Sequence, residues 1–279
     1  MNVKIAKESG FCFGVKRAMK MAWNELEASN DGIYALGPLI HNKQAVQKYE
    51  EKGLKTVDKI SDVPPNNNMI IRSHGVAETV YNESKKRCIN LVDTTCPFVT
   101  KIHRIVKKYY KNGYSIIVVG DENHPEVIGI NGWCENSAIV IKNIDTLNNI
   151  SFDKTKKYCL VSQTTINLDL YIQIVEFLSQ ELEHVLFNNT ICSATKVRQE
   201  AANKLSKEVD VMVVIGGTHS SNTQKLVNIC KKVVPTFAIE TKSDLNIDLL
   251  KNFKDVGITA GASTPNWIID DVVEFIKSI

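Results

Sequence analysis

Six short apolar runs, each followed by a polar loop and then an amphipathic stretch, constrain this chain more than any other feature. They are Gly32–Leu36, Met69–Ile71, Ser115–Val119, Cys159–Val161, Val211–Ile215 and Gly257–Thr259. Helical periodicity fills the intervals. Between Val15 and Leu26 the apolar residues Val15, Ala18, Met19, Ala22, Trp23 and Leu26 recur at i, i+3 and i+4. Phe98, Ile102, Ile105 and Tyr109 repeat the pattern, with Pro97 suited to a first helical position. Val197, Ala201 and Leu205 do so again. Short β-runs alternating with helices predict an α/β protein with mainly parallel sheets.

Three of the helical patterns begin just after a cysteine. The contexts are Gly10-Phe-Cys12-Phe-Gly-Val-Lys-Arg17, Thr94-Thr-Cys96-Pro-Phe-Val-Thr-Lys101 and Thr190-Ile-Cys192-Ser-Ala-Thr-Lys196. Unpaired N–H groups at a helix start favour a thiolate. Three such thiolates suit a soft metal centre with one position left open. The spacings of 84 and 96 residues cut the chain into parts of similar size. Three α/β domains are expected, at 13–96, 97–192 and 193–279, with residues 1–12 adding an N-terminal strand near the centre.

The other four cysteines, Cys88, Cys134, Cys159 and Cys230, are expected to be small buried hydrophobes. Seven scattered cysteines without an export signal argue against a disulfide framework, and no CxxC is present. With 34 basic and 31 acidic residues, the net charge of +3 is too balanced to imply nucleic-acid or membrane-surface binding. No apolar run could span a bilayer. A cytoplasmic protein is expected.

The loops after the six runs share a composition. They read Gly37-Pro-Leu-Ile-His41-Asn42, Arg72-Ser73-His74-Gly75, Gly120-Asp-Glu-Asn-His124-Pro-Glu126, Ser162-Gln163-Thr164-Thr165, Gly216-Gly-Thr-His-Ser220-Ser221-Asn222 and Ala260-Gly-Ala-Ser263-Thr264. Ligands of open parallel sheets bind outside the carboxyl ends of the strands. Donors of mostly neutral kind, near helix starts, suit a phosphate or diphosphate. A protonated histidine would add charge. Glu126 beside such an anion could stay protonated and donate a proton. The Walker lysine and the GxGxxG fingerprint are both missing, which excludes their nucleotide-binding modes. His103 and His184 fall in helical patterns and are expected to be structural or exposed.

In order along nearly the whole chain, these motifs resemble the 4-hydroxy-3-methylbut-2-enyl diphosphate reductase (LytB) family. The run Gly10-Phe-Cys12-Phe-Gly-Val-Lys-Arg-Ala18 is followed by Ile40-His41-Asn42, Arg72-Ser-His74-Gly-Val76, Asp93-Thr-Thr-Cys96-Pro and Gly120-Asp-Glu-Asn-His124-Pro-Glu126. Gln163-Thr164-Thr165, Cys192-Ser-Ala-Thr195-Lys-Val-Arg198-Gln199, Ser220-Ser221-Asn222 and Thr259-Ala-Gly261-Ala-Ser263-Thr-Pro265 complete the series.

The resemblance implies a pseudo-threefold trefoil of three α/β domains around one 4Fe–4S cluster. Cys12, Cys96 and Cys192 would be its ligands, with the fourth iron open to substrate. It implies diphosphate contacts from His41, His74, His124, Ser220, Ser221, Asn222 and Ser263. Glu126 would deliver a proton, and Thr164 would position it and the substrate oxygen; His124 would also serve the catalytic step. The reaction implied is a two-electron reductive dehydroxylation, the last step of the non-mevalonate isoprenoid route. An electron donor such as ferredoxin or flavodoxin and a monomeric state are expected with it.

Two departures stand out. His219 occupies a position where the family usually has Asn, and with Ile279 as the last residue given, the ribosomal-S1-like extension of some relatives is not expected. Two other readings fit parts of the sequence. A metal-free phosphate- or nucleotide-sugar-binding transferase would not need three convergent thiols. A cluster-bearing sensor would not need Glu126 and Thr164.

Overall fold

The computed structural model describes residues 1–29 and 32–279. Twelve strands lie among the described residues. They are β1 (Asn2–Ile5), β2 (Ile33–Leu36), β3 (Leu54–Val57), β4 (Asn68–Ile71), β5 (Asn90–Asp93), β6 (Ser115–Val119), β7 (Ile139–Ile141), β8 (Tyr158–Ser162), β9 (Val185–Phe187), β10 (Val211–Ile215), β11 (Thr236–Ile239) and β12 (Asp255–Ala260). They form three four-stranded sheets with the orders β1-β12-β10-β11, β3-β2-β4-β5 and β7-β6-β8-β9. Every pairing is parallel. The α/β class expected from the sequence is the one observed.

The six runs visible in the sequence are the six central strands, two per sheet. The other six strands are all at sheet edges, among them the expected N-terminal strand β1, and the remaining five have no clear signal. A central parallel strand is covered on both faces and reads as an unbroken apolar run. An edge strand carries polar residues, as in Leu54-Lys-Thr-Val57 or Asn90-Leu-Val-Asp93.

The chain divides into two compact units. One comprises Met1–Lys16, Ile40–Lys52 and Ser193–Ile279 and holds the sheet of β1 and β10–β12. Its strand residues alternate between two cores. Val211, Val213, Ile215 and Ile258 pack with Val272 and Ile276 of the helix Asn266–Ser278. Met212 and Val214 pack with Ala202 and Leu205 of the helix Ser193–Ser206, and with Leu226 and Cys230 of the helix Ser221–Lys231.

The other unit comprises Arg17–Leu39 and Gly53–Cys192 and holds the remaining two sheets. In β6 and β8 the alternation is equally strict. Ile117, Val119 and Leu160 face Ile174 and Leu178 of the helix Leu168–Glu181. Ile116, Val118, Cys159 and Val161 face Ile102 and Val106 of the helix Pro97–Lys111, and Val127 and Ile130 of the helix Pro125–Asn131. No helix among the described residues is long and apolar enough to cross a membrane.

One expectation about an individual residue fails, and another holds only in part. Cys88 is exposed, in a left-handed conformation (φ 55°) that ends the helix Glu78–Lys86. It is not a buried hydrophobe, unlike Cys134, Cys159 and Cys230. His184 lies outside any helix, because the helix before it ends at Glu181 and β9 starts at Val185. It is exposed there, while its carbonyl accepts from the Tyr158 amide.

Candidate active site

In each sheet the chain leaves a central strand for one edge and returns on the other side of that same strand. The reversal falls between β2 and β4, between β6 and β8, and between β10 and β12. Crevices at such reversals are where α/β sheets bind ligands. The loops rich in His, Ser, Thr and Asn are the ones that leave these six strands at their carboxyl ends.

Beside β6 and β8 the geometry is tightest. Pro125 starts the helix Pro125–Asn131, which places Glu126 in its first turn, where the helix dipole favours an acid. Glu126 is only 3% exposed. Its Oε1 accepts from the Thr164 amide (2.6 Å) and its Oε2 from the Thr164 hydroxyl (2.7 Å). Both oxygens are therefore held by one residue at the end of β8. Buried hydrogen bonds of this kind are worth roughly 0.5–3 kcal/mol each, the upper end applying to an ionised carboxyl.

His124 caps the same helix. Its Nδ1 accepts from the Glu126 amide (3.1 Å), so the proton of the neutral ring sits on Nε2. His74 lies edge-on to it, with ring centroids 5.6 Å apart. That approach depends on small residues. Gly129 within the helix and Gly132 just past its end let this segment lie against the backbone of Gly75, Val76 and Ala77. The Trp133 indole fixes the contact by donating to the Val76 carbonyl (3.0 Å).

The unit holding β10 and β12 gathers a second group. Ser220 caps the helix Ser221–Lys231, its Oγ accepting from the Thr223 amide (3.3 Å). Asn222 is 4% exposed, and neither its Oδ1 nor its Nδ2 has a hydrogen-bond partner. Buried amides are rarely left unsatisfied, and among the described residues this one has both polar atoms open. Ser263 Oγ donates to the His41 carbonyl (3.2 Å), and Gly217 packs against that same carbonyl. Ser221 is half-buried and His219 is exposed.

All three helix-start cysteines are half-buried, and none is in a disulfide. Each precedes its helix directly, at Phe13, Pro97 and Ser193. Each cysteine amide also donates to a loop at the end of a central strand. Cys12 donates to the Ala262 carbonyl (3.4 Å), Cys96 to Ser73 (3.0 Å) and Cys192 to Thr164 (2.9 Å). The acceptors are next to Ser263, next to His74, and Thr164 itself. Cys159 and Cys230 differ chemically, since burial pushes their thiols up to about 12 and about 11.

The LytB protein family model matches residues 3–277. The chain belongs to the LytB family. It is 66% identical over 279 residues to the 4-hydroxy-3-methylbut-2-enyl diphosphate reductase of Clostridioides difficile (strain 630), covering all of both chains. It is 51% identical over 282 residues to that of Alkaliphilus oremlandii (strain OhILAs), again over both whole chains. The structure of the E-1-hydroxy-2-methyl-but-2-enyl-4-diphosphate reductase from Plasmodium falciparum is similar with a TM-score of 0.93 at 31% identity. That match covers 99% of this chain and 87% of the other. A second solved structure is of (E)-4-hydroxy-3-methyl-but-2-enyl diphosphate reductase, the terminal enzyme of the non-mevalonate pathway. It matches with a TM-score of 0.73 at 38% identity, over 100% of this chain and 99% of that one.

Two residues outside the expected site set also hold loops of this LytB fold, Gln163 and Asn42. Gln163 Oε1 accepts from the Asp121 amide (3.2 Å) and its Nε2 donates to Thr165 Oγ1 (2.9 Å), so it ties the Glu126 loop to the Thr164 loop. Asn42 is buried, and its Oδ1 caps the helix Lys43–Glu50 through the Ala45 amide (2.8 Å). Both lie inside motifs recognisable in the sequence, which is the signal that could have found them.

Proposed function

We propose that this chain reduces 4-hydroxy-3-methylbut-2-enyl diphosphate to isopentenyl and dimethylallyl diphosphates. The substrate takes two electrons and two protons, its C–O bond breaks, and the hydroxyl leaves as water. The observation that carries this reading is the buried Glu126 carboxyl clamped by Thr164, whose carbonyl in turn holds Cys192. The resemblance noted from the motifs and the names of the relatives point the same way.

The donor set fits an iron–sulfur group: three unbridged thiols, half-exposed, each at a helix start. In this reading Cys12, Cys96 and Cys192 hold one 4Fe–4S cluster with the fourth iron free of protein ligands. When bound, the cluster supplies the electrons and a Lewis-acidic iron.

The residues of the chain do the rest. Glu126 delivers a proton to the leaving hydroxyl, and Thr164 holds the carboxyl in the required orientation. His124 donates from Nε2. His41, His74, Ser220, Ser221, Asn222 and Ser263 bind the diphosphate with His124, holding the allyl group in a reactive pose. The three-part division at 13–96, 97–192 and 193–279, with residues 1–12 joining the last part, is the matching domain scheme, and the membership of the three sheets supports it. Ferredoxin or flavodoxin as electron donor, a monomer and a cytoplasmic setting complete the reading.

The test is anaerobic purification followed by iron and sulfide analysis, visible absorption and turnover of the allylic diphosphate with a chemical reductant. Iron near four per chain together with turnover supports the reading. Protein that stays colourless and inactive after anaerobic reconstitution sinks it.

A further inference from the structure

Five arginines occur in the chain, and four dispose of their charge in ordinary ways. Arg17 donates to the Thr95 carbonyl (3.2 Å) and Arg87 to that of Ser61 (3.0 Å). Arg198 donates to Gly10 (2.8 Å) and Ala194 (3.3 Å). Arg104 is exposed to water. Arg72 does none of these. It is half-buried, and among the described residues its side chain has no hydrogen bond, ion pair or aromatic contact. Its Nε is enclosed without an acceptor. Burial alone lowers its pKa, with no carboxylate to oppose the shift. Its two terminal nitrogens still reach water, so the guanidinium is partly desolvated, without a counter-charge, and an anion brought to it would be favoured.

Its place in the fold says what would compensate. Arg72 is the first residue after β4, and its carbonyl accepts from the Gly75 amide (3.0 Å). One tight turn therefore carries both Arg72 and His74. The guanidinium lies over Gly37, the first residue after β2. A Cβ there would come within 2.7 Å of Nη1, and Gly37 has a φ of +71°. β2 and β4 flank the reversal of strand order in their sheet, where α/β folds take their ligands.

We propose that Arg72 is an anion-binding residue of the active site, its unpartnered guanidinium reserved for the diphosphate of the allylic substrate. This rests on the reductase reading and adds a full positive charge to a set of otherwise neutral donors. Arginine suits the task because its planar fork matches phosphate oxygens.

The experiment uses the anaerobic holoenzyme and three variants, Arg72→Gln, Arg72→Lys and Arg72→Met. Affinity for inorganic diphosphate is measured by calorimetry, thermal midpoint with and without it, and KM and kcat with the allylic diphosphate. Arg72→Gln is expected to weaken diphosphate binding about ten- to a hundredfold and to raise KM more than it lowers kcat. Arg72→Lys restores part of the affinity. Arg72→Met raises the midpoint of the ligand-free protein and shrinks the further rise that diphosphate produces.

Unchanged diphosphate affinity in Arg72→Gln, in an enzyme that still turns over, overturns the proposal and leaves the reductase reading intact. So does a fall in midpoint across the variants with no change in affinity, which marks a structural arginine. Lost diphosphate affinity in a protein whose wild type turns over no allylic diphosphate keeps Arg72 as an anion site and removes its substrate.

Discussion

The amide of Cys192 donates to the carbonyl of Thr164 at 2.9 Å, while the amide and hydroxyl of Thr164 both donate to Glu126. A single residue thus joins a candidate metal ligand to the candidate proton donor. Displacing either neighbour moves the other, and substitutions here should separate chemistry from assembly.

Glu126→Gln keeps the shape of the side chain and removes its proton. Turnover should fall by about 10²–10⁴-fold, the usual contribution of a general acid, while iron content and KM stay close to wild type. Iron analysis beside steady-state kinetics checks it. Near-normal turnover would exclude Glu126 as the proton source.

Thr164→Val removes the hydroxyl that donates to Glu126 Oε2 and keeps the amide bond to Oε1. Loss of one such bond at a buried carboxylate should cost about 1–3 kcal/mol. The denaturant midpoint and kcat should fall together. A variant as stable and as fast as wild type would mean that the amide alone holds the carboxyl.

Single Cys12→Ser, Cys96→Ser and Cys192→Ser variants should each lose most of their iron and visible absorption, whereas Cys88→Ser, at an exposed site, should keep both. Full iron retention by any of the first three would remove that residue from the ligand set.

His103 gives a pH dependence with a definite sign. It is 3% exposed and stacks on Trp133 with ring centroids 5.1 Å apart. Burial pushes its pKa down from 6.5 to about 4, against a smaller upward pull from Asp93. The folded protein therefore binds this proton more weakly than the unfolded chain. The contribution of neutral His103 is complete above about pH 6.5, declines as pH falls towards 4, and is exhausted below that. Roughly 3 kcal/mol is at stake, because one pKa unit is worth about 1.4 kcal/mol. Urea midpoints between pH 7.5 and 4 should fall less steeply in His103→Phe than in wild type. Parallel slopes would refute the assignment.

Gly132→Ala would drive a methyl group to within 2.8 Å of Ala77 Cα. Overpacking of this kind costs about 1–3 kcal/mol. The helix carrying Glu126 would be pushed off the turn carrying His74. Thermal stability and KM should suffer together, which a midpoint measurement and substrate titration would show.

The central strands and the three cysteine-led helices were legible in the sequence because burial on both faces and N-terminal punctuation leave strong local signals. The edge strands were not, since residues such as Lys55 and Asn90 serve solvent as much as the sheet. Cys88 misled because composition alone says nothing of a left-handed helix end. Arg72 was visible as a letter in its loop, but its lack of any partner is a property of three-dimensional neighbours. The same holds for Gln163, whose amide spans two loops 42 residues apart.

The three cysteine amides impose a rule on how such a chain can change. Loops at sheet ends ordinarily absorb extra residues with little penalty. Here the loops after β4, β8 and β12 are each pinned through a backbone carbonyl to the peptide of a cysteine. Adding one residue to any of them would drag a sulfur along with it. Length variation should therefore be driven out to the connections around the edge strands, leaving these three loops fixed in length while the periphery drifts.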